Sequence, residues 1–98
     1  TLEPGEFLIY KRKFEIPKGF NKGRGFINLG AVDQIATVFI NGAEVGSHKG
    51  GYTPFKFEIT DFIPDGENAL RVVCLDFTVC HAPEFVGNIG KIIQPVLA

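Results

Sequence analysis

The stretch ATVFINGAEVG, residues 36–46, has the composition of two β-strands joined by a tight turn. β-Branched and aromatic residues fill its first half, and the dipeptide Asn41-Gly42 follows them at once. A type I′ turn needs positive φ at both central residues, so Asn-Gly between two such runs is a strong hairpin signal. The stretch therefore predicts an antiparallel hairpin.

Extended segments separated by turn residues continue on both sides of this hairpin. Apolar and polar residues alternate over residues 55–60, which predicts a strand with one face toward a core. Residues 70–77 are apolar on nearly both faces, as expected of a central strand. The predicted strands are 8–16, 26–29, 36–40, 44–46, 55–60, 70–77 and 92–97, and residues 20–24, 64–68 and 81–90 are predicted turns or loops. Turn signals about every 8 to 12 residues, without a sustained helical stripe, indicate an all-β fold, an antiparallel β-sandwich or jelly roll.

Length and charge limit the classes of function. The 98 residues, 45% of them hydrophobic, suit a single small domain over residues 1–98. The net charge of -1 lacks the positive footprint of a nucleic-acid or anionic-membrane binder, and Lys11-Arg12-Lys13 is interpreted as the solvated face of a strand. No apolar run approaches the roughly 20 residues that cross a bilayer, and no signal-peptide pattern is visible, so a soluble chain is expected.

Cysteine and histidine positions do not indicate a metal site or a cofactor. Cys74 and Cys80 lie in a run predicted to be extended, where about 3.3 Å per residue would place them roughly 20 Å apart. A disulfide needs Cα atoms within about 7 Å, so free buried thiols are expected unless a turn intervenes. The only histidines, His48 and His81, have no metal-ligand spacing around them.

The second turn that stands out is HKGGYTP, residues 48–54. Gly50 and Gly51 offer backbone angles closed to other residues, so they predict a sharp structural corner. His48 and Tyr52 could hydrogen-bond a ligand at its rim, or they could satisfy backbone groups that the turn leaves unpaired, and the structural interpretation is favoured. If φ is positive at Gly51, its replacement by alanine is expected to cost about 1 kcal/mol.

The run GAVDQIATVFINGAEVGSHKGGYTPFKFEITDFI, residues 30–63, closely resembles the central part of the N-terminal sugar-binding, jelly-roll domain of glycoside hydrolase family 2. This family includes β-galactosidases, β-glucuronidases and β-mannosidases. Its pattern looks like G-V-D-x-x-A-x-V-x-x-N-G-x-x-V-G-x-H-x-G-G-Y-x-P-F-x-x-x-I-T-D, and this chain departs from it by inserting Ala31. Similar motifs flank the run: YKRKFEIP at 10–17, GENALRVV at 66–73, and GKIIQPVLA at 90–98, where Ile93 replaces the usual tryptophan.

The resemblance implies architecture first and function second. In that family the active site lies in a separate (β/α)₈ barrel, where two glutamates act as acid/base and nucleophile. It therefore implies a galactose-binding-domain-like jelly roll, a non-catalytic fragment of a longer multidomain glycosidase, with the catalytic barrel and immunoglobulin-like domains as partners. The residues themselves offer no substitute, because retaining hydrolysis needs two carboxyl groups about 5 to 5.5 Å apart. The nearest notable pair, Glu58 and Asp61, has the pattern of a solvent-facing strand residue and a turn former.

Two other functions remain open, and one segment is the candidate for sugar contact. A free-standing carbohydrate-binding module would stack aromatic rings on sugars, although the chain has no tryptophan and two tyrosines. A β-sandwich interaction domain without sugar chemistry is the other alternative. Binding groups concentrate on loops held by a rigid sandwich, which points to residues 81–90. Glu84 and Asn88 are its candidate sugar ligands, with ordinary solvated loop residues as the alternative.

Overall fold

The computed structural model describes residues 7–29, 35–49, 55–75 and 83–93. Over these residues the chain forms seven strands and two short 3₁₀ helices. The strands are β1 (Phe7–Ile16), β2 (Phe26–Leu29), β3 (Ile35–Ile40), β4 (Ala43–Lys49), β5 (Phe55–Glu58), β6 (Gly66–Leu75) and β7 (Glu84–Val86). The 3₁₀ helices span Thr60–Phe62 and Asn88–Lys91. Within these ranges, no helix has the length and apolar character that crossing a membrane requires.

The strands form two antiparallel sheets whose facing sides share one core. The four-stranded sheet has the order β1-β6-β3-β4, and the three-stranded sheet has the order β5-β2-β7. Alternate residues of both sheets enter the core, among them Ile16, Val38 and Leu70 from the first and Ile27, Leu29 and Phe85 from the second. This architecture confirms the predicted all-β, antiparallel sandwich.

The Asn41-Gly42 hairpin is confirmed in detail. The φ angles of these two residues are 52° and 83°, so both occupy the left-handed region that a type I′ turn requires. β3 and β4 then pair, but Val38 faces Gly46 while Phe39 faces Glu44. Val45 is therefore an extra residue on β4, and the pair contains a β-bulge.

The segment 81–90, predicted to be a loop, contains regular structure over its described residues, 83–90. β7 pairs with β2, and the buried ring of Phe85 meets the ring of Phe14 edge-on, with centroids 5.0 Å apart. A strand of three residues shows too little alternation to be recognised from sequence. The predicted strand 92–97 is also wrong at its start, because Ile92 and Ile93 donate their backbone N–H groups to Ile89 O and close the second 3₁₀ helix. Residues 94–97 lie outside the described ranges.

β6 is the central strand that the sequence predicts, between β1 and β3. It begins earlier than expected, at Gly66, inside the predicted turn 64–68. Of residues 70–75, predicted to be covered on nearly both faces, Arg71 alone is exposed. Cys74 near its end is disulfide-bonded, so the expectation of a free thiol was wrong. That expectation assumed an extended run as far as Cys80, whereas β6 ends at Leu75 and Cys80 lies outside the described residues.

Candidate functional site

The outward face of the three-stranded sheet carries a cross-strand row of polar side chains. Ile27 and Leu29 of β2 point into the core, so Asn28 between them points outward. Asn28 lies opposite Lys56 of β5 on one side and opposite Glu84 of β7 on the other. Cross-strand partners on one face have Cβ atoms about 4.5 to 5.5 Å apart. An ammonium, an amide and a carboxylate therefore lie side by side.

An aromatic ring lies beside this polar row. Phe26 points outward from β2 two residues before Asn28 and is half-buried. Nζ of Lys56 lies 4.7 Å from the centroid of its ring, and Cζ of Arg24 lies 5.2 Å from it. Both distances fall within the range of cation–π attraction, which holds the two cations close to the ring.

Glu58, opposite Phe26 on β5, is held by a fork of hydrogen bonds. Arg24 donates from Nη2 to Oε1 at 2.9 Å and from Nε to Oε2 at 3.3 Å, and the Thr60 hydroxyl donates to Oε2 at 3.0 Å. The Arg24 hydrogen bond, then that of Thr60, lowers the pKa of Glu58. A general acid needs a raised pKa, so Glu58 acts as the ion partner of Arg24. Asp61, its predicted neighbour, lies exposed in the first 3₁₀ helix.

The structure separates the two predicted sugar ligands. Glu84 is exposed and opens β7, while Asn88 begins the 3₁₀ helix beyond the other end of this strand. Nδ2 of Asn88 donates to the backbone oxygen of Asn21 at 3.1 Å and ties the helix to the loop before β2. The intervening Gly87 has φ 99°, and a Cβ there would lie 2.5 Å from the backbone oxygen of Arg24. Only Glu84 joins the row, and the roles of Glu84 and Asn88 in sugar binding stay predictions.

Of the predicted corner, only His48 lies within the described residues; Gly50, Gly51 and Tyr52 lie outside them. The imidazole stacks on the ring of Phe55, with centroids 4.1 Å apart and planes 15° apart. Its Nε2 is buried and has no hydrogen-bond partner. The structural role of the corner as a whole stays a prediction.

Sequence reasoning missed Phe26, Asn28 and Lys56 as members of one site. Alternation marks each as an outward residue of its strand, but their meeting depends on the register of three strands that are distant along the chain. In the four described ranges, no cluster of three or more His, Cys, Asp or Glu side chains is placed to hold a metal ion.

Comparison with known proteins gives a consistent result. The family model described as glycosyl hydrolases family 2, sugar binding domain, matches residues 4–84. The chain is 40% identical over 65 residues to a β-galactosidase of Thermoanaerobacter pseudethanolicus, covering 64% of this chain and 9% of that protein. It is 30% identical over 90 residues to a β-glucuronidase of Streptococcus agalactiae, covering 92% of this chain and 15% of that protein.

Solved structures agree with these relatives. The Bifidobacterium dentium β-glucuronidase complexed with coumarin-3-O-glucuronide has a TM-score of 0.63 and 34% identity, covering 70% of this chain and 11% of that one. A putative β-galactosidase from Bacteroides fragilis has a TM-score of 0.69 and 28% identity, covering 81% of this chain and 12% of that one. The chain thus spans between 9% and 15% of the length of these four proteins.

Proposed function

The chain belongs to the sugar-binding domains of the family 2 glycosyl hydrolases, and on this premise we propose that it serves as the non-catalytic accessory domain of a retaining family 2 glycosidase. It matches 9% and 15% of the length of a β-galactosidase and a β-glucuronidase. Hydrolysis of the O-glycosyl bond then takes place in a catalytic barrel outside the matched region. The barrel and an immunoglobulin-like domain are the proposed partners.

The chemistry of the described carboxylates supports the non-catalytic assignment. Retaining hydrolysis requires one carboxyl group with a raised pKa beside a second that acts as nucleophile. Glu58 has a lowered pKa and is occupied by Arg24 and Thr60. Glu84, the other carboxylate of the site, faces Asn28 instead of a second carboxylate.

The row Lys56–Asn28–Glu84 beside Phe26 is the observation that carries a role in carbohydrate contact. Sugar hydroxyls both donate and accept hydrogen bonds, and the row offers an ammonium donor, an amide that does both, and a carboxylate acceptor. The apolar face of a sugar ring packs on an aromatic ring. Because Lys56 is exposed, it can leave the ring of Phe26 and turn toward a hydroxyl. In the proposed enzyme this face guides a saccharide, and the barrel cleaves it.

The test uses the 98-residue chain. We expect no turnover of chromogenic galactosides, glucuronides or mannosides above a mock-purified control. Titration with the free sugars, followed by calorimetry and amide chemical shifts, should show weak, millimolar binding with shifts confined to β2, β5 and β7. Glu84→Gln and Asn28→Ala should abolish these shifts, whereas Glu15→Gln, an exposed glutamate on the other sheet, should not.

Three results would contradict parts of this proposal. Turnover above the control would overturn the non-catalytic assignment. Sub-millimolar binding by the chain alone would favour a free-standing carbohydrate-binding module. Shifts that do not map to β2, β5 and β7, or that survive both substitutions, would remove this face from sugar contact.

A further inference from the structure

A groove of about 440 Å³ lies on the outward face of the four-stranded sheet, away from the row described above. Its lining includes Lys11 and Lys13 of β1, Ala69 and Arg71 of β6, and Phe39 of β3, and it contains no acidic residue. Both lysines are exposed, in agreement with the solvated strand face that the sequence predicts. The volume falls within the range of about 300 to 1,000 Å³ that is usual for small-molecule sites.

The sheet register brings the cations of the groove together. Arg71 on the central strand lies directly opposite Lys11 on β1 and opposite Phe39 on β3. Lys13 lies opposite Ala69, the neighbouring outward residue of β6. Lys11, Lys13 and Arg71 therefore lie around Ala69, whose small side chain leaves space between the three cations.

The guanidinium group of Arg71 is held in place by an aromatic ring. Its Cζ lies 4.4 Å from the centroid of Phe39, a cation–π contact. This contact holds the guanidinium beside the ring and leaves its N–H donors available to a planar anion such as a carboxylate. A ring that holds an arginine in this way reduces the conformational entropy lost on binding.

Acidic side chains on this face lie at its margins. Glu15 and Glu67 face each other at the end of the β1–β6 pair, and Glu44 lies across from Phe39 on β4. Over the described residues, no carboxylate forms an ion pair with Lys11, Lys13 or Arg71. In a chain of net charge -1, this leaves a local positive field that attracts anions.

We propose that this groove binds a carboxylate-bearing saccharide, with the carboxylate on Arg71 and Lys11 and the C–H face of the sugar over Phe39 and Ala69. The apolar floor together with a cationic rim favours such a ligand over an inorganic anion, which would use the rim alone. The inference rests on the proposed function only in taking the ligand to be a saccharide. It concerns a different face and different residues.

The test is calorimetric titration of the chain at low ionic strength with four ligands: trigalacturonate, the neutral galactotriose, inorganic sulfate and a triglutamate peptide. We expect trigalacturonate to bind at least about tenfold more tightly than each of the other three, because charge-assisted hydrogen bonds and ring packing then act together. Affinity should fall as salt is added.

Variants assign the binding to the groove. Arg71→Gln should weaken trigalacturonate binding by about tenfold or more, and Arg71→Lys should restore only part of it because lysine lacks the planar fork. Phe39→Leu should weaken binding of trigalacturonate by a larger factor than binding of sulfate, because both ligands lose the ring that holds Arg71 but only the saccharide also loses a packing surface. Lys18→Gln, which removes one exposed charge from the turn after β1, is the matched control and should change the affinity by less than about twofold. Circular dichroism and urea unfolding verify that each variant is folded.

The outcomes separate this proposal from the preceding one. Equal binding of galactotriose, sulfate or triglutamate, equal effects of Arg71→Gln and Lys18→Gln, or no binding of trigalacturonate would overturn it. If Glu84→Gln and Asn28→Ala abolish trigalacturonate binding while Arg71→Gln does not, the acidic sugar belongs to the other face. If the neutral sugars do not bind to the row Lys56–Asn28–Glu84 while trigalacturonate binding still requires Arg71, the carbohydrate role of that row is contradicted and the proposal for the groove is supported.

Discussion

The side-chain amides of Asn41 and Asn68 are joined by a hydrogen bond of 2.8 Å, from Nδ2 of Asn41 to Oδ1 of Asn68. Asn68 is only 1% exposed, and its own Nδ2 donates to the backbone oxygens of Pro64 and Gly66 at 2.9 and 3.1 Å. Asn41 also accepts from the backbone N–H of Ala69 at 2.9 Å. Two turns that are distant along the chain, the β3–β4 turn and the one before β6, are thus fastened by one amide pair.

We predict that Asn68→Leu lowers the free energy of unfolding by about 3 kcal/mol. The substitution removes the three hydrogen bonds that the buried Asn68 side chain makes with Pro64 O, Gly66 O and Asn41 Nδ2, and each such bond contributes about 0.5 to 1.5 kcal/mol. Urea denaturation at constant m-value measures the change. Asn21→Ala, which removes an exposed local hydrogen bond to Gly23 N, is the control. A loss for Asn68→Leu no larger than for this control would contradict the prediction.

Gly46 of β4 is predicted to be required by the ring of Phe57. A Cβ at Gly46 would lie 2.7 Å from Cδ1 of that ring and closer still to Cε1. We expect Gly46→Ala to lower the free energy of unfolding by about 2 kcal/mol, because overpacking forces the ring or the strand to move. In a Phe57→Leu background the same substitution should cost less than about 1 kcal/mol. Additive effects of the two substitutions would show that the ring is not the cause.

His48 is predicted to contribute to stability through its ring and not through its nitrogens. His48→Phe retains a ring to stack on Phe55 and removes the buried Nε2 that lacks a partner. We therefore expect its free energy of unfolding to stay unchanged or to rise by up to about 1 kcal/mol. His48→Ala should lower it by about 1 kcal/mol, since the stacking contact is lost. Equal destabilisation by both variants in urea unfolding would argue for a polar role of the imidazole.

The Arg24–Glu58 pair is predicted to make stability depend on acid. Because Arg24 and Thr60 lower the pKa of Glu58 in the folded chain, the carboxylate stabilises the fold above its unfolded pKa of about 4.3. This contribution is lost as the pH falls through the lower, folded value. Between about pH 6 and pH 3, Glu58→Gln should therefore lose less stability than the parent chain. The comparison is made by urea unfolding at each pH, with Glu15→Gln as the control. Parallel profiles of the parent chain and Glu58→Gln would refute it.

Local chemistry explains which elements could be predicted from sequence. The Asn41-Gly42 turn could be predicted because a type I′ turn needs positive φ at two adjacent residues, and asparagine and glycine adopt such angles readily. β7 was missed because three residues, Glu84–Val86, carry no period, and they form a strand only by pairing with Phe26–Asn28. The disulfide of Cys74 was missed because the chain was expected to stay extended as far as Cys80, which led to the expectation of free thiols.

The same distinction holds for the two outward faces. Alternation identified outward residues such as Lys56, but the row with Asn28 and Glu84 exists only through strand register. The lysines of the groove were recognised as exposed, while Arg71, the third cation of the groove, belongs to a strand far along the chain. Arg12 between them, assigned to the same solvated face, is half-buried, with Nη1 buried and without a hydrogen-bond partner. Contacts between segments that are distant along the chain decide whether such a side chain is exposed or buried, and a local sequence pattern does not contain this information.

The Asn41-Gly42 turn also influences how the protein ages chemically. In unfolded chains an asparagine followed by glycine readily loses its amide nitrogen as ammonia, because the glycine N–H meets little steric hindrance in attacking the side-chain carbonyl. Here the amide of Asn41 is engaged through both Nδ2 and Oδ1, so the fold restrains the rotation that this attack needs. Once converted to aspartate, the residue would present an anionic oxygen to Oδ1 of Asn68 where it had donated a hydrogen bond. The rate of deamidation and the stability of the fold are therefore coupled at this turn. The fold slows deamidation of Asn41, and deamidation, once it occurs, would destabilise the fold.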